Sequence, residues 1–254
     1  MKKEILDMKR IVDIPYQENG HAQQVLDIHL PDQDEFDVFV YFHGGGLESG
    51  DKTYIKFIDY LVSKGIAVVS ANYRMYPEAK YPDFLEDAAS AVAWVCRNIH
   101  GYGEIKGIYV GGSSAGGYLS QMLCFDKSWL GKHGISPMDM AGFILDAGQP
   151  TCHFNVLRER NIDSRRVIVD ESAPLYHVGA DADYPPMLII VSDNDMKNRL
   201  EQTQLLISTL KHFGHEEKVQ CTVMNGTHCA YINAFDENGE SVFGKIIHGF
   251  INRP

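Results

Sequence analysis

The chain has 254 residues, 44% of them hydrophobic with 12 Phe and 13 Tyr, and a formal net charge of −11. That length fits one large α/β domain or two small ones, the apolar content excludes a disordered chain, and the acidic surface excludes a phosphate-rich partner such as nucleic acid. The longest apolar runs, such as 187–191, are far too short to cross a bilayer, so no membrane span is expected.

The start, Met1-Lys2-Lys3-Glu4-Ile5-Leu6-Asp7, is positively charged but has no apolar stretch behind it. No secretory signal is expected from it, and a cytoplasmic location is. Cys96, Cys124, Cys152, Cys221 and Cys229 are odd in number and form no C-x-x-C, a pattern that suits reduced thiols. Cys152-His153 and His228-Cys229 are the Cys/His neighbour pairs. Neither has a third ligand at a motif spacing, so no metal site is expected.

Without internal repeats or low-complexity linkers, the whole chain reads as one domain. Strands are expected at 10–14, 25–30 and 37–42, joined without helices, which predicts an antiparallel edge. Strands and helices then alternate. A helix at 54–63 stopped by Gly65 leads to a β-branched strand at 66–71. Over 84–99, Leu85, Ala88, Val92, Val95, Cys96 and Ile99 recur at three- and four-residue steps, as a helix with one buried face requires. A strand at 107–110, a helix from Ser114 to 125 and a strand at 142–145 follow.

Residues 147–183 break that rhythm. They hold no long periodic stretch, and Arg158, Glu159, Arg160, Asp163, Arg165, Arg166, Asp170 and Glu171 read as solvated. Loops longer than about 15 residues in compact domains are usually lids or binding loops, so an insertion over one end of the sheet is expected. The alternation resumes with strand 187–192, helix 199–213, strand 219–224 and helix 241–251. The expected fold class is α/β: a mostly parallel sheet with an antiparallel N-terminal edge and helices on both faces.

The chemistry concentrates at Gly112-Ser113-Ser114-Ala115-Gly116-Gly117, where Gly112, Ser114 and Gly116 fit G-x-S-x-G between a strand and a helix. A serine lifted clear of a sheet on a tight turn needs small flanking residues, because a side chain at either glycine would meet backbone. Ser113 fails the pattern, since Ala115 would have to replace its second glycine. A phosphate loop is disfavoured because neither a Walker Lys nor G-x-G-x-x-G is present. The second motif is His43-Gly44-Gly45-Gly46, directly after strand 37–42, where consecutive glycines let amides approach a developing oxyanion. His43 itself reads as a structural residue holding the glycine loop.

These motifs, with Asn72-Tyr73-Arg74, Tyr81-Pro82 and Leu85-Glu86-Asp87, resemble the hormone-sensitive-lipase-like branch of the α/β-hydrolases. That branch includes bacterial carboxylesterases and related acetyl-xylan and feruloyl esterases. The resemblance implies the α/β-hydrolase fold, a Ser114 nucleophile, and an oxyanion hole from the amides of Gly45, Gly46 and Ala115. Two departures stand out: only 42 residues precede the glycine motif where many members carry a helical cap, and residue 113 is Ser where the branch often has Asp.

The acid should follow the strand ending Ser192-Asp193-Asn194-Asp195, and Asp193 and Asp195 are both candidates from position alone. The resemblance points to Asp195. The base belongs in the loop after the last strand, where His228 alone of the 11 histidines stands; His215 and His248 read as exposed. The implied reaction is hydrolysis of a small or medium acyl ester, with acetylated sugars and arylesters as candidate substrates, through an acyl-enzyme that needs no metal or organic cofactor. An amide-cleaving relative, such as an arylformamidase, would use the same three residues. A non-catalytic binding module would be expected to lose Ser or His, and a lipase active at lipid surfaces would want an amphipathic lid. Oligomeric state leaves no signature in the sequence.

Overall fold

The structure, a computed structural model, describes residues 9–53, 56–180 and 182–253. The reading of the first seven residues lies outside these, as do Tyr54 and Ile55 of the expected helix 54–63. Eight strands form one sheet: β1 (Lys9–Pro15), β2 (Val25–Leu30), β3 (Glu35–Phe42), β4 (Ile66–Ala71), β5 (Glu104–Ser113), β6 (Gly142–Asp146), β7 (Met187–Asn194) and β8 (Val219–Thr227). Their spatial order is β1-β2-β4-β3-β5-β6-β7-β8. The pairs β1/β2 and β2/β4 are antiparallel and all others parallel, so the expected mostly parallel sheet with an antiparallel N-terminal edge is what forms.

The central strands are apolar on both faces because helices cover both. Along β3, Val38, Val40 and Phe42 pack toward α2 (Asp83–Asn98), α3 (Ala115–Phe125) and α6 (Arg199–His212), through Leu85, Val92, Leu119, Met122, Leu206 and Leu210. The alternate residues Phe39 and Tyr41 pack toward α1 (Ile58–Ser63) and α7 (Val242–Ile251), through Leu61, Phe243, Ile247 and Phe250. This is the period-two split that a strand buried on both sides produces.

The helix expected from residue 54 begins at Ile58. Asp51 captures the Thr53 amide at 2.8 Å, a local turn that competes with helix initiation. His215, expected to be exposed, is buried: its Nε2 lies 2.9 Å from the Gly179 carbonyl and its ring packs edge-on against Tyr184. His248 is half-buried, edge-on to Tyr60. After α4 (Ser128–Gly131) and β6, the segment 147–183 is also less solvated than its charge suggests. Residues 147–153 are buried, and a short helix α5 (Phe154–Glu159) follows them. Glu159, Arg160 and Asp170 are partly covered: Glu159 accepts from the Tyr76 hydroxyl and the Tyr81 amide, and Arg160 pairs with Asp170 at 2.8 Å. Arg158, Asp163, Arg165, Arg166 and Glu171 are exposed, as expected.

Chain direction then locates the site. From β3 the chain crosses to β4 on one side and afterwards returns to lay β5 on the other side of β3. Reversals of this kind open a crevice at the carboxyl ends of the diverging strands, where open α/β sheets bind ligands. The glycine motif leaves β3 and the Ser114 turn leaves β5 at that crevice.

Candidate active site

Ser114 occupies the turn between β5 and α3 with φ 56° and ψ −110°, a conformation that costs an L-residue energy and persists only when its surroundings enforce it. They do so by contact. A Cβ on Gly116 would lie 1.9 Å from the Phe42 carbonyl oxygen, and one on Gly112 would lie 2.6 Å from the same atom. The Ser114 amide donates to the Asp146 carbonyl at 2.8 Å, which pins the turn to the end of β6. Ser113, rejected on motif grounds, is buried with its hydroxyl unpartnered.

His228 links the Ser114 turn to Asp195. Its Nε2 lies 2.8 Å from Ser114 Oγ and its Nδ1 lies 2.6 Å from Asp195 Oδ1. A carboxylate can only accept, so Nδ1 carries the proton and Nε2 is left to accept from the serine hydroxyl. The Asp195 side chain is fully buried, whereas that of His228 is 23% exposed. Burial alone would raise the Asp195 carboxyl pKa. The hydrogen bond and charge of His228, with the amides of Met196 and Ser192, outweigh it and hold the group below the ordinary carboxylate range. Asp193 does not reach the imidazole. Its carboxylate accepts from the Gly226 amide at 2.8 Å and the Asn225 side chain at 3.2 Å.

The glycine motif lies against Ser114. A Cβ on Gly44 would stand 3.3 Å from Ser114 Cβ. Gly45 (φ +114°) and Gly46 (φ +68°) are left-handed, and a Cβ on Gly45 would lie 1.9 Å from the Ser49 carbonyl oxygen. The Gly45 carbonyl turns away to accept from the amides of Glu48 and Ser49. Among the described residues, the Gly45 and Gly46 amides have no protein acceptor, and Ala115, first in α3, has no intrahelical one. These three donors are therefore available to a ligand.

The loop is braced on both sides. Tyr73 donates to the His43 carbonyl at 2.9 Å and stacks on the His43 ring at 4.6 Å, while His43 Nδ1 donates to the Gly44 carbonyl at 2.7 Å. Burial pushes the His43 pKa down, so this ring stays neutral and holds the loop. From the other side Asn155 of α5 donates to the Gly46 carbonyl and Phe154 packs over Gly46, so segment 147–183 bears directly on the site. In the segment Tyr73-Arg74, Arg74 grips the buried Asp87 of α2 through Nε and Nη2, each at 2.8 Å. That pairing is architectural. Asn155, Asp146 and Tyr231 escaped the sequence reading because none stands in a motif.

Residues 26–131 match the BD-FAE family. The esterase LipI of Mycobacterium tuberculosis is 41% identical over 96 residues, covering 37% of this chain and 30% of that protein. The kynurenine formamidase of Danio rerio is 31% identical over 139 residues, covering 53% of this chain and 45% of that protein. The chain thus spans less than half the length of these relatives. Among solved structures, esterase B from Lactobacillus Rhamnosis superimposes with a TM-score of 0.77 at 18% identity, over 97% of this chain and 86% of that one. Sheet order and the superposition on esterase B give the chain the α/β-hydrolase fold, and residues 26–131 are similar to the BD-FAE family.

Proposed function

We propose that the chain is a serine carboxylesterase for small or medium acyl esters. The observation that carries this reading is the contact of one imidazole with both Ser114 Oγ at 2.8 Å and Asp195 Oδ1 at 2.6 Å. In this mechanism Ser114 Oγ attacks the ester carbonyl as His228 Nε2 takes its proton. Asp195 holds the imidazole tautomer and stabilises the imidazolium that forms. The amides of Gly45, Gly46 and Ala115 receive the oxyanion, each such donor contributing roughly 3 kcal/mol in acyl transfer. The imidazolium returns its proton to the leaving alcohol, and water then clears the acyl-enzyme by the reverse sequence.

A second reading is favoured by one match, the kynurenine formamidase relative, which aligns over more of this chain than LipI does. The same three residues would cleave a formamide if the pocket accepts one. Rates on acetyl through octanoyl esters, acetylated sugars and an aryl formamide separate the two. Higher kcat/KM on short acyl esters is expected, and turnover confined to the formamide would replace the esterase reading with the amidase one.

A further inference from the structure

We propose that Asp146 is a positioning residue for the pair Ser114–His228: its carbonyl holds the nucleophile turn, and its carboxyl, through Tyr231, holds the loop that carries the base. The inference rests on the serine-hydrolase reading above. Asp146 ends β6, its side chain is fully buried, and it is the register partner of Ser113, the residue before the nucleophile. Its carbonyl accepts from the Ser114 amide at 2.8 Å. Its Oδ1 accepts from the hydroxyl of Tyr231, three residues after His228 in the loop beyond β8. One residue thereby grips both partners of the proton transfer, through two different groups.

The loop needs such a grip. Between the end of β8 at Thr227 and the start of α7 the loop carries a 3-10 turn at Ala230–Asn233 and an isolated bridge between Phe235 and Ser241, and Cys229 is forced into the left-handed region at φ 57°. Tyr231 is buried, packs on Phe243 of α7, and has Asp146 as its polar anchor. Ser192 Oγ donates to the Thr227 carbonyl at 2.9 Å and holds one side of His228, and the Tyr231 tie holds the other. A displacement of about 1 Å from reacting geometry costs on the order of a hundredfold in rate.

The carboxyl is also electrically placed. The groups facing it are Ser113 of β5, Tyr41 of β3, Tyr231 and Cys229 of the loop, His228, and Asp195 beyond β7. Ser113 Oγ stands beside it without meeting hydrogen-bond geometry, so that hydroxyl and Asp146 Oδ2 both remain unpartnered. Buried Arg199 donates to the carbonyl of the next residue, Ala147. Burial pushes the Asp146 carboxyl up to about 7, against the lowering effects of Ser113, Tyr231 and His228, with Asp195 adding to the rise. Near neutral pH the group therefore moves between acid and anion, and the anion favours a protonated His228.

The test uses the full chain and a chromogenic short-chain ester, with kcat and KM followed from about pH 5 to about pH 9. Wild type, Tyr231→Phe and Asp146→Asn are compared, with phosphonate titration to count intact sites. Tyr231→Phe, which removes the tie and keeps the ring, is expected to lower kcat per titrated site by roughly tenfold or more, with KM within about threefold. Asp146→Asn can still accept from Tyr231 but loses the charge. Its acid limb of kcat/KM is expected to move to lower pH, a change that loss of packing alone would not produce. Wild-type kcat in Tyr231→Phe, or an Asp146→Asn profile superimposable on wild type, would overturn the proposal. If Asp146→Asn does not fold, the Tyr231→Phe rate decides. Hydrolysis that survives Ser114→Ala would instead show that the serine-hydrolase reading has failed, whatever Asp146 does.

Discussion

Asp193 and Asp195 stand two residues apart, yet the strand ladder separates what their carboxylates reach. In β7 and β8, Ser192 pairs with Met224 and Asn194 with Thr227, so Asp193 opposes both Asn225 and Gly226 in a bulge. Gly226 takes φ +120°, and Asp193 caps the bulge by accepting from both residues. A bulge bends its strand, and His228 follows directly after the bent end. Asp195, past the end of β7, is free to meet it. Asp195→Asn keeps the side-chain shape but favours the wrong tautomer of His228, and is expected to lower kcat by up to about 10⁴-fold. Asp193→Asn is expected to cost about tenfold or less, through a looser bulge. The kcat values of the two variants and the double mutant check this, and a large loss at Asp193 with near-normal Asp195→Asn would reverse the roles. The sequence left both aspartates open because a one-residue bulge offset is set by pairing with β8, which residue order does not display.

At the scale of elements, legibility followed how each segment is buried. α2 and α7 bury apolar side chains at helical spacing, so their pattern is plain in the sequence. In segment 147–183 much of what is buried is polar: Gln149, Thr151, His153, Asn155 and Ser172 lie inside the fold. Such residues are tolerated when hydrogen bonds replace lost water, and hydropathy does not report pairing. Thr151 donates to Gln202 of α6 at 2.8 Å, and Asn155 meets Gly46, so the segment is knit to that helix and to the glycine loop. Helix α7 offers the contrasting case. Ile247 is fully buried in the cluster around Phe39, Tyr41 and Phe243. Ile247→Ala is expected to lower unfolding stability by about 2–5 kcal/mol with KM unchanged. Denaturant unfolding and steady-state kinetics on the same preparation check both halves.

At the scale of the molecule, a sheet that reverses direction between β3 and β5 gathers residues far apart in sequence. His43 to Gly46, Ser114, Asp146, Asp195 and His228 all leave the carboxyl ends of parallel strands, so strand alternation alone predicts that they share one edge. The motif glycines were legible for the same reason that they are required: at Gly112 and Gly116 a single Cβ would enter the Phe42 carbonyl. The bracing from outside those motifs was not, since Asn155, Asp146 and Tyr231 are ordinary residue types whose work depends on tertiary placement. The central claim is that this edge hydrolyses esters through Ser114. It is tested most directly by comparing wild type and Ser114→Ala on a short-chain ester, with a serine-directed phosphonate followed by peptide mass mapping. A stoichiometric adduct on Ser114 is expected, with a fall in kcat of roughly 10⁴-fold or more in a variant that stays folded. Turnover near wild type in Ser114→Ala, or an adduct on Ser113 in its place, would contradict the claim.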